Sequence, residues 1–219
     1  MTRSSFLVTR RFLLSSLAEG AAVAALLTAF LLPGCGEGVP RVAAVGPDEV
    51  IVAFGDSLTY GTGASESESY PAVLAQLIGR KVVRSGVPGE VTAQGLARLP
   101  QVIEEHRPAL VIVCLGGNDM LRRTDERQIR GNLRQIISTI RGRGISVVLI
   151  GVPKPALLAS AAGFYGELAA EHGIPYEGKV LNEIMHQLDL KADPIHPNAK
   201  GYRRMAEAIA VLLKKAGAV

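Results

Sequence analysis

Four short polar stretches hold the side chains that could do chemistry. Gly55-Asp56-Ser57-Leu58 follows the apolar run 50–54, Ser85-Gly86-Val87-Pro88-Gly89 follows 81–84, and Gly116-Gly117-Asn118-Asp119 follows 110–115. Asp193-Pro194-Ile195-His196 lies near the C-terminus. Acyl transfer needs a nucleophile, a base to take its proton, a group to orient that base, and donors for the developing oxyanion. In these stretches Ser57 is the candidate nucleophile, His196 the candidate base, and Asp193 its partner from the same turn. The N–H groups of Ser57 and Gly86 and the side-chain amide of Asn118 are the candidate oxyanion donors. Each piece also has a plainer reading. Gly-Asp-Ser is commonly just a turn, Gly-Gly-Asn-Asp could cap a helix, and His196 before Pro197 could sit exposed at a helix start.

The elements that would position these groups can be read from hydrophobic patterning. Continuous apolar runs at 50–54, 81–84, 110–115, 145–150 and a short one near 174–176 suit strands buried on both faces. In 125–141, Ile129, Leu133, Ile136, Ile137 and Ile140 fall on one helical face. Acidic Asp125 and Glu126 open that stretch and Arg141 and Arg143 close it, in keeping with a helix dipole. Tyr202, Met205, Ala206, Ile209, Leu212 and Leu213 mark one face of a last helix. Thr92–His106 is also helical in pattern, but Pro100 should kink or divide it. Strand-helix alternation predicts a three-layer α/β/α sandwich around a mostly parallel five-stranded sheet. Ligands bind such sheets at the carboxyl ends of the strands, where the turns at Gly55, Gly86 and Gly116 all fall.

The front of the chain reads differently. Arg3, Arg10 and Arg11 precede the uncharged apolar stretch 21–32, and Pro33-Gly34-Cys35-Gly36 follows it. A basic start, an apolar centre and a small-residue boundary predict an export signal over 1–34. The apolar stretch is too short for a membrane span of about 20 residues. Leu32-Pro33-Gly34-Cys35 resembles the bacterial lipoprotein cleavage box, which implies lipid on Cys35; the rival is ordinary cleavage after Ala44. Thr9-Arg10-Arg11-Phe12-Leu13-Leu14 is either similar to a twin-arginine export motif or an ordinary basic start. Residues 35–48, with Pro40, Gly46 and Pro47, read as a linker to a domain over 49–219.

Three arginines and one glutamate ahead of Cys35 account for two of the chain's four net positive charges. The remainder is nearly balanced, so no nucleic-acid partner is expected. Cys114 sits in an apolar run as a small hydrophobe, and the four histidines are scattered. Neither a metal nor a cofactor is expected.

The four stretches together resemble the SGNH (GDSL) hydrolase family. Phe54-Gly55-Asp56-Ser57-Leu58-Thr59 is similar to its first block, Gly86 to the glycine of the second, Gly116-Gly117-Asn118-Asp119 to the third and Asp193-Pro194-Ile195-His196-Pro197-Asn198 to the last. Gly95-Leu96-Ala97-Arg98-Leu99 and Ile129-Arg130-Gly131-Asn132-Leu133 draw the resemblance toward bacterial periplasmic arylesterases, thioesterases and lysophospholipases. It implies a flavodoxin-like fold and the roles given above to Ser57, Asp193, His196, Gly86 and Asn118. Ser85 departs from the family's usual asparagine, and Pro194 from its usual glycine.

The function expected is that of a serine esterase acting on small-molecule carboxylic esters with short to medium acyl groups. The alternatives are a thioesterase, a lysophospholipase or an envelope polysaccharide O-deacetylase, and more remotely a non-catalytic envelope-binding module. Leu157, Leu158 and Phe164 are read either as an acyl-site wall or as helix core. An exported bacterial protein of the periplasm or cell envelope is expected, held to a membrane by lipid on Cys35, and several acyl chains anchor stably where one does not. In the native host, Cys35→Ser should move the protein from the membrane to the soluble exported fraction. A mature N-terminus at Val45 would instead establish cleavage after Ala44.

Overall fold

The computed structural model describes residues 38–154 and 161–219. Five strands form the sheet: β1 (Val50–Gly55), β2 (Lys81–Gly86), β3 (Leu110–Cys114), β4 (Ser146–Ile150) and β5 (Tyr176–Glu177). All neighbours pair in parallel, in the order β2-β1-β3-β4-β5. The chain steps from β1 to one side and then returns to the other. The order therefore reverses around β1, and a crevice opens between the carboxyl ends of β1 and β3. Ser57 and Asn118 lie immediately beyond those two ends.

Burial follows position in the sheet. β3 is buried throughout, whereas the edge strand β2, with Lys81 and Arg84, is half-buried or exposed along its length. β5 is only two residues long. Its pairing starts after Pro175, which has no N–H for a ladder, although the Pro175 carbonyl accepts from Leu149 N at 3.0 Å.

Eight α-helices lie among the described residues: α1 (Ser57–Tyr60), α2 (Tyr70–Ile78), α3 (Thr92–His106), α4 (Gly117–Leu121), α5 (Glu126–Arg141), α6 (Gly163–His172), α7 (Val180–Met185) and α8 (Ala199–Ala216). α5 buries the five residues of its apolar stripe, and Asp125 caps it by accepting from Arg127 N at 2.8 Å. α3 is not divided: it runs through Pro100. Gly95 and Leu99 are buried before the proline and Val102 and Ile103 after it. Tertiary packing on both sides outweighs the lost hydrogen bond. Among the described residues no helix is long and apolar enough to cross a membrane.

The expected leader over 1–34 and Cys35 lie outside the described residues. Of the expected linker, residues 39–48 belong to the compact unit Val39–Val219. Val42 N donates to Ala216 O at 3.0 Å and Val45 N to Ala218 O at 2.8 Å, with the Val45 side chain buried. The valines give this segment an apolar side to bury, which outweighs its Pro and Gly content.

Asn198 anchors the start of α8. Its Oδ1 accepts from Lys200 N at 3.0 Å and Gly201 N at 3.1 Å, while its Nδ2 donates to the carbonyls of Asp189 and Lys191 at 2.9 and 3.2 Å. Asn198→Ala removes both sets of bonds and should cost about 1–2 kcal/mol in urea unfolding. An unchanged midpoint would show that the cap does not bear on stability.

Candidate active site

Ser57 is the first residue of α1, directly after the carboxyl end of β1. Asp56 makes the turn by accepting Leu58 N at 3.0 Å, which caps the short helix and leaves Ser57 at the crevice. The Ser57 hydroxyl lies 3.0 Å from His196 Nε2. On the other side of the ring, His196 Nδ1 is 2.7 Å from Asp193 Oδ2. A carboxylate at Nδ1 holds the proton there and leaves Nε2 free to accept from the serine.

Asp193 is itself held by the turn it starts. Its Oδ1 accepts the N–H groups of Ile195 at 2.8 Å and His196 at 2.9 Å. Partial burial raises its pKa, but the bonds from the His196 ring and these two amides outweigh it and leave Asp193 below the usual carboxylate range. Pro194 therefore costs the turn nothing, because the donors come from the two residues after it.

A cavity of about 840 Å³ opens over Ser57 and His196. Asn118 and Gly89 line it; Gly86 does not. Gly86 ends β2 where the backbone of α1 packs onto the strand. A Cβ there would meet Tyr60 N and would lie 2.7 Å from Asp56 O. Gly86 is needed for close approach. Of the two glycines after β2, Gly89 is the one on the cavity, in a turn closed by Glu90 N donating to Val87 O at 3.1 Å. Pro88 and then Gly89 with φ +80° are the residues a type II turn requires. The central amide of such a turn takes no part in the closing bond, so the Gly89 N–H remains available. The Pro-Gly pair was the sequence signal for this donor.

Asn118 lies in the first turn of α4 beyond β3. Its Nδ2 donates to Asp56 Oδ2 at 3.2 Å and to Glu90 O at 3.1 Å. Asp119 beside it is buried and accepts Thr92 N at 2.8 Å and Thr92 Oγ1 at 2.6 Å, tying α4 to the start of α3. Asp56 is 1% exposed. Burial raises its pKa most, and the Glu90 and Asp119 carboxylates add to this. The bonds from Leu58 and Asn118 oppose it, and the net result is a carboxyl pushed up to about 7.

The cavity walls are apolar, with Leu58, Leu121, Val152, Met185, Leu188 and Ile195 among them. Phe164, expected either as a substrate contact or as core, is 2% exposed, packs with its ring centroid 4.4 Å from that of Tyr165, and is absent from the cavity lining. It belongs to the core. Leu157 and Leu158 lie outside the described residues. His186, one of the scattered histidines, caps α7 with Nδ1 2.7 Å from Asn182 O and lines the cavity.

A hydroxyl, imidazole and carboxylate bonded in this order at the carboxyl edge of a parallel sheet define an α/β serine hydrolase. The comparisons agree. Residues 53–204 match the GDSL-like Lipase/Acylhydrolase family, and the chain belongs to that family. It is 29% identical to the esterase TesA of Pseudomonas aeruginosa, over 86% of this chain and 98% of that one. It is 31% identical to the thioesterase 1/protease 1/lysophospholipase L1 of Escherichia coli, over 76% and 84%. Among solved structures, the SGNH-hydrolase family esterase AlinE4 superposes with a TM-score of 0.62 at 34% identity, covering 79% of this chain and 98% of that one.

The Asp56 pKa fixes the sign of a pH effect. Between about pH 4, where an unfolded aspartate ionises, and about pH 7, the folded protein holds a proton that the unfolded chain releases. This part of the stability is present at low pH and is lost as pH rises through that window. Asp56→Asn should remove the decline, read from urea midpoints at pH 4.5 and 7.5. A variant with the same pH slope as the parent would show that Asp56 does not titrate there.

Proposed function

We propose that the protein is a serine esterase cleaving carboxylic esters with short to medium acyl groups through an acyl-enzyme on Ser57. The observation that carries this reading is the Ser57–His196–Asp193 hydrogen-bonded line facing an apolar-walled cavity. Ser57 Oγ attacks the ester carbonyl carbon while its proton passes to His196 Nε2. Asp193 stabilises the imidazolium that forms. The carbonyl oxygen, now negative, is met by the N–H groups of Ser57 and Gly89 and by the Asn118 amide. Gly89 takes the role expected of Gly86, because Gly89 is the residue on the cavity. His196 then gives its proton to the departing alkoxide. In the second half His196 takes a proton from water as the hydroxide attacks the acyl carbon, then returns it to Ser57 Oγ as the acyl–serine bond breaks and the carboxylic acid leaves.

A second reading, hydrolysis of thioesters or lysophospholipids, is supported by the name of the Escherichia coli relative. The same residues would serve, since only the leaving group changes. Export to the cell envelope, with lipid on Cys35 as membrane anchor, is part of the proposal and is supported by the arginine-led apolar leader.

A panel of p-nitrophenyl esters from C2 to C12, with acyl-CoA and lysophospholipid alongside, separates the readings. The highest kcat/KM is expected on a short or medium ester; a preference for acyl-CoA or lysophospholipid would favour the second. A fluorophosphonate probe should label the parent protein and spare Ser57→Ala. Asn118→Ala should lower kcat about 10²–10³-fold with KM nearly unchanged. A normally active but less stable Asn118→Ala variant would leave Asn118 only the structural role of bracing Asp56 and Glu90.

A further inference from the structure

We infer that Arg98 and Glu90, which touch neither substrate nor nucleophile, are positioning residues for the oxyanion pocket. The inference rests on the assignment of Gly89 and Asn118 as donors. Glu90 stands at the junction of both. Its own N–H closes the turn that presents Gly89, and its carbonyl accepts Asn118 Nδ2 at 3.1 Å. A shift of Glu90 therefore moves two of the three donors together.

The Glu90 side chain is what holds that junction in place. It is 4% exposed, and Arg98 meets it with two parallel bonds, Nε to Oε1 at 2.8 Å and Nη2 to Oε2 at 2.7 Å. The same guanidinium donates through Nη1 to Ser85 Oγ at 2.7 Å and through Nη2 to Ser85 O at 3.3 Å. It also lies 4.3 Å over the Phe54 ring. Phe54 and Ser85 are paired neighbours on β1 and β2, so Arg98 ties the turn to the end of the sheet. Ser85 is an acceptor in this clamp. Arg122 Nη2 adds a bond to Gly89 O at 2.9 Å.

A buried ion pair is a weak device for stability, because desolvation offsets most of its attraction. It is a strong device for orientation, because a bidentate guanidinium-carboxylate pair fixes angle as well as distance. Asn118 shows why orientation matters. Both of its amide hydrogens are engaged, toward Asp56 and Glu90, at 3.2 and 3.1 Å. One must turn to the oxyanion during attack, and a displaced Glu90 carbonyl changes how readily it does so.

The test is a double-mutant cycle in kcat between Arg98→Lys and Asn118→Ala, with KM and melting temperature measured on every variant. Arg98→Lys keeps the charge but loses the fork. It should lower kcat about 10- to 100-fold with KM within about twofold, since small misplacements of catalytic groups cost this much. In the Asn118→Ala background the same change should cost at least about threefold less, because one of the groups it positions is gone. Glu90→Gln, which keeps size and a carbonyl, repeats the cycle if Arg98→Lys does not fold. Equal losses in both backgrounds, or a lowered melting temperature with kcat intact, would overturn the clamp. Normal turnover in Asn118→Ala alone would overturn the donor assignment and the clamp with it.

Discussion

Asp56 is the residue on which the two halves of the site converge. One carboxyl oxygen caps the helix that starts with the nucleophile, and the other takes the amide of Asn118 from a segment 62 residues away. The carboxyl is buried where a charge is costly, between β1 and β3 at the reversal of strand order. Small changes in the separation of those strands would leave it without partners. The sheet therefore has to fix the spacing of the two strand ends closely, and the fully buried β3 supplies that rigidity.

The histidine side is organised differently. Asp193 and His196 belong to one turn, and their bonds are mostly local, whereas the contact to Ser57 crosses 139 residues. What brings the turn to the serine is α8. Its cap residue Asn198 bonds back to Asp189 and Lys191, and its Tyr202 hydroxyl donates to Thr62 O at 2.8 Å. The base arrives with its orienting carboxylate already attached, and only one long-range distance remains to be set.

This division explains what could be read from the residues alone. Long buried strands and one-faced helices were legible because period and burial coincide, as in α5 with its five isoleucine and leucine positions. The Ser57, Asn118, Asp193 and His196 stretches were legible because each follows a turn at an element end. Gly86 was the expected donor because it ends the second strand, and Gly89, three residues further on, was not considered. Separating them needs knowledge of what stands opposite, α1 backbone in one case and open cavity in the other. Phe164 had the same ambiguity, since an aromatic side chain on a helix serves a core as readily as an acyl site. Whether α3 continues past Pro100, and where residues 39–48 bond, were decided by packing partners distant in sequence.

The segment 39–48 meets the domain at the end of α8 away from the active site. Val42 and Val45 bond to Ala216 and Ala218 at the finish of α8, while the start of that helix adjoins the His196 turn. Eighteen residues of helix span about 27 Å, close to the full depth of a small domain. Residues 42–45 therefore close the end of α8 opposite the one that leads into the catalytic base.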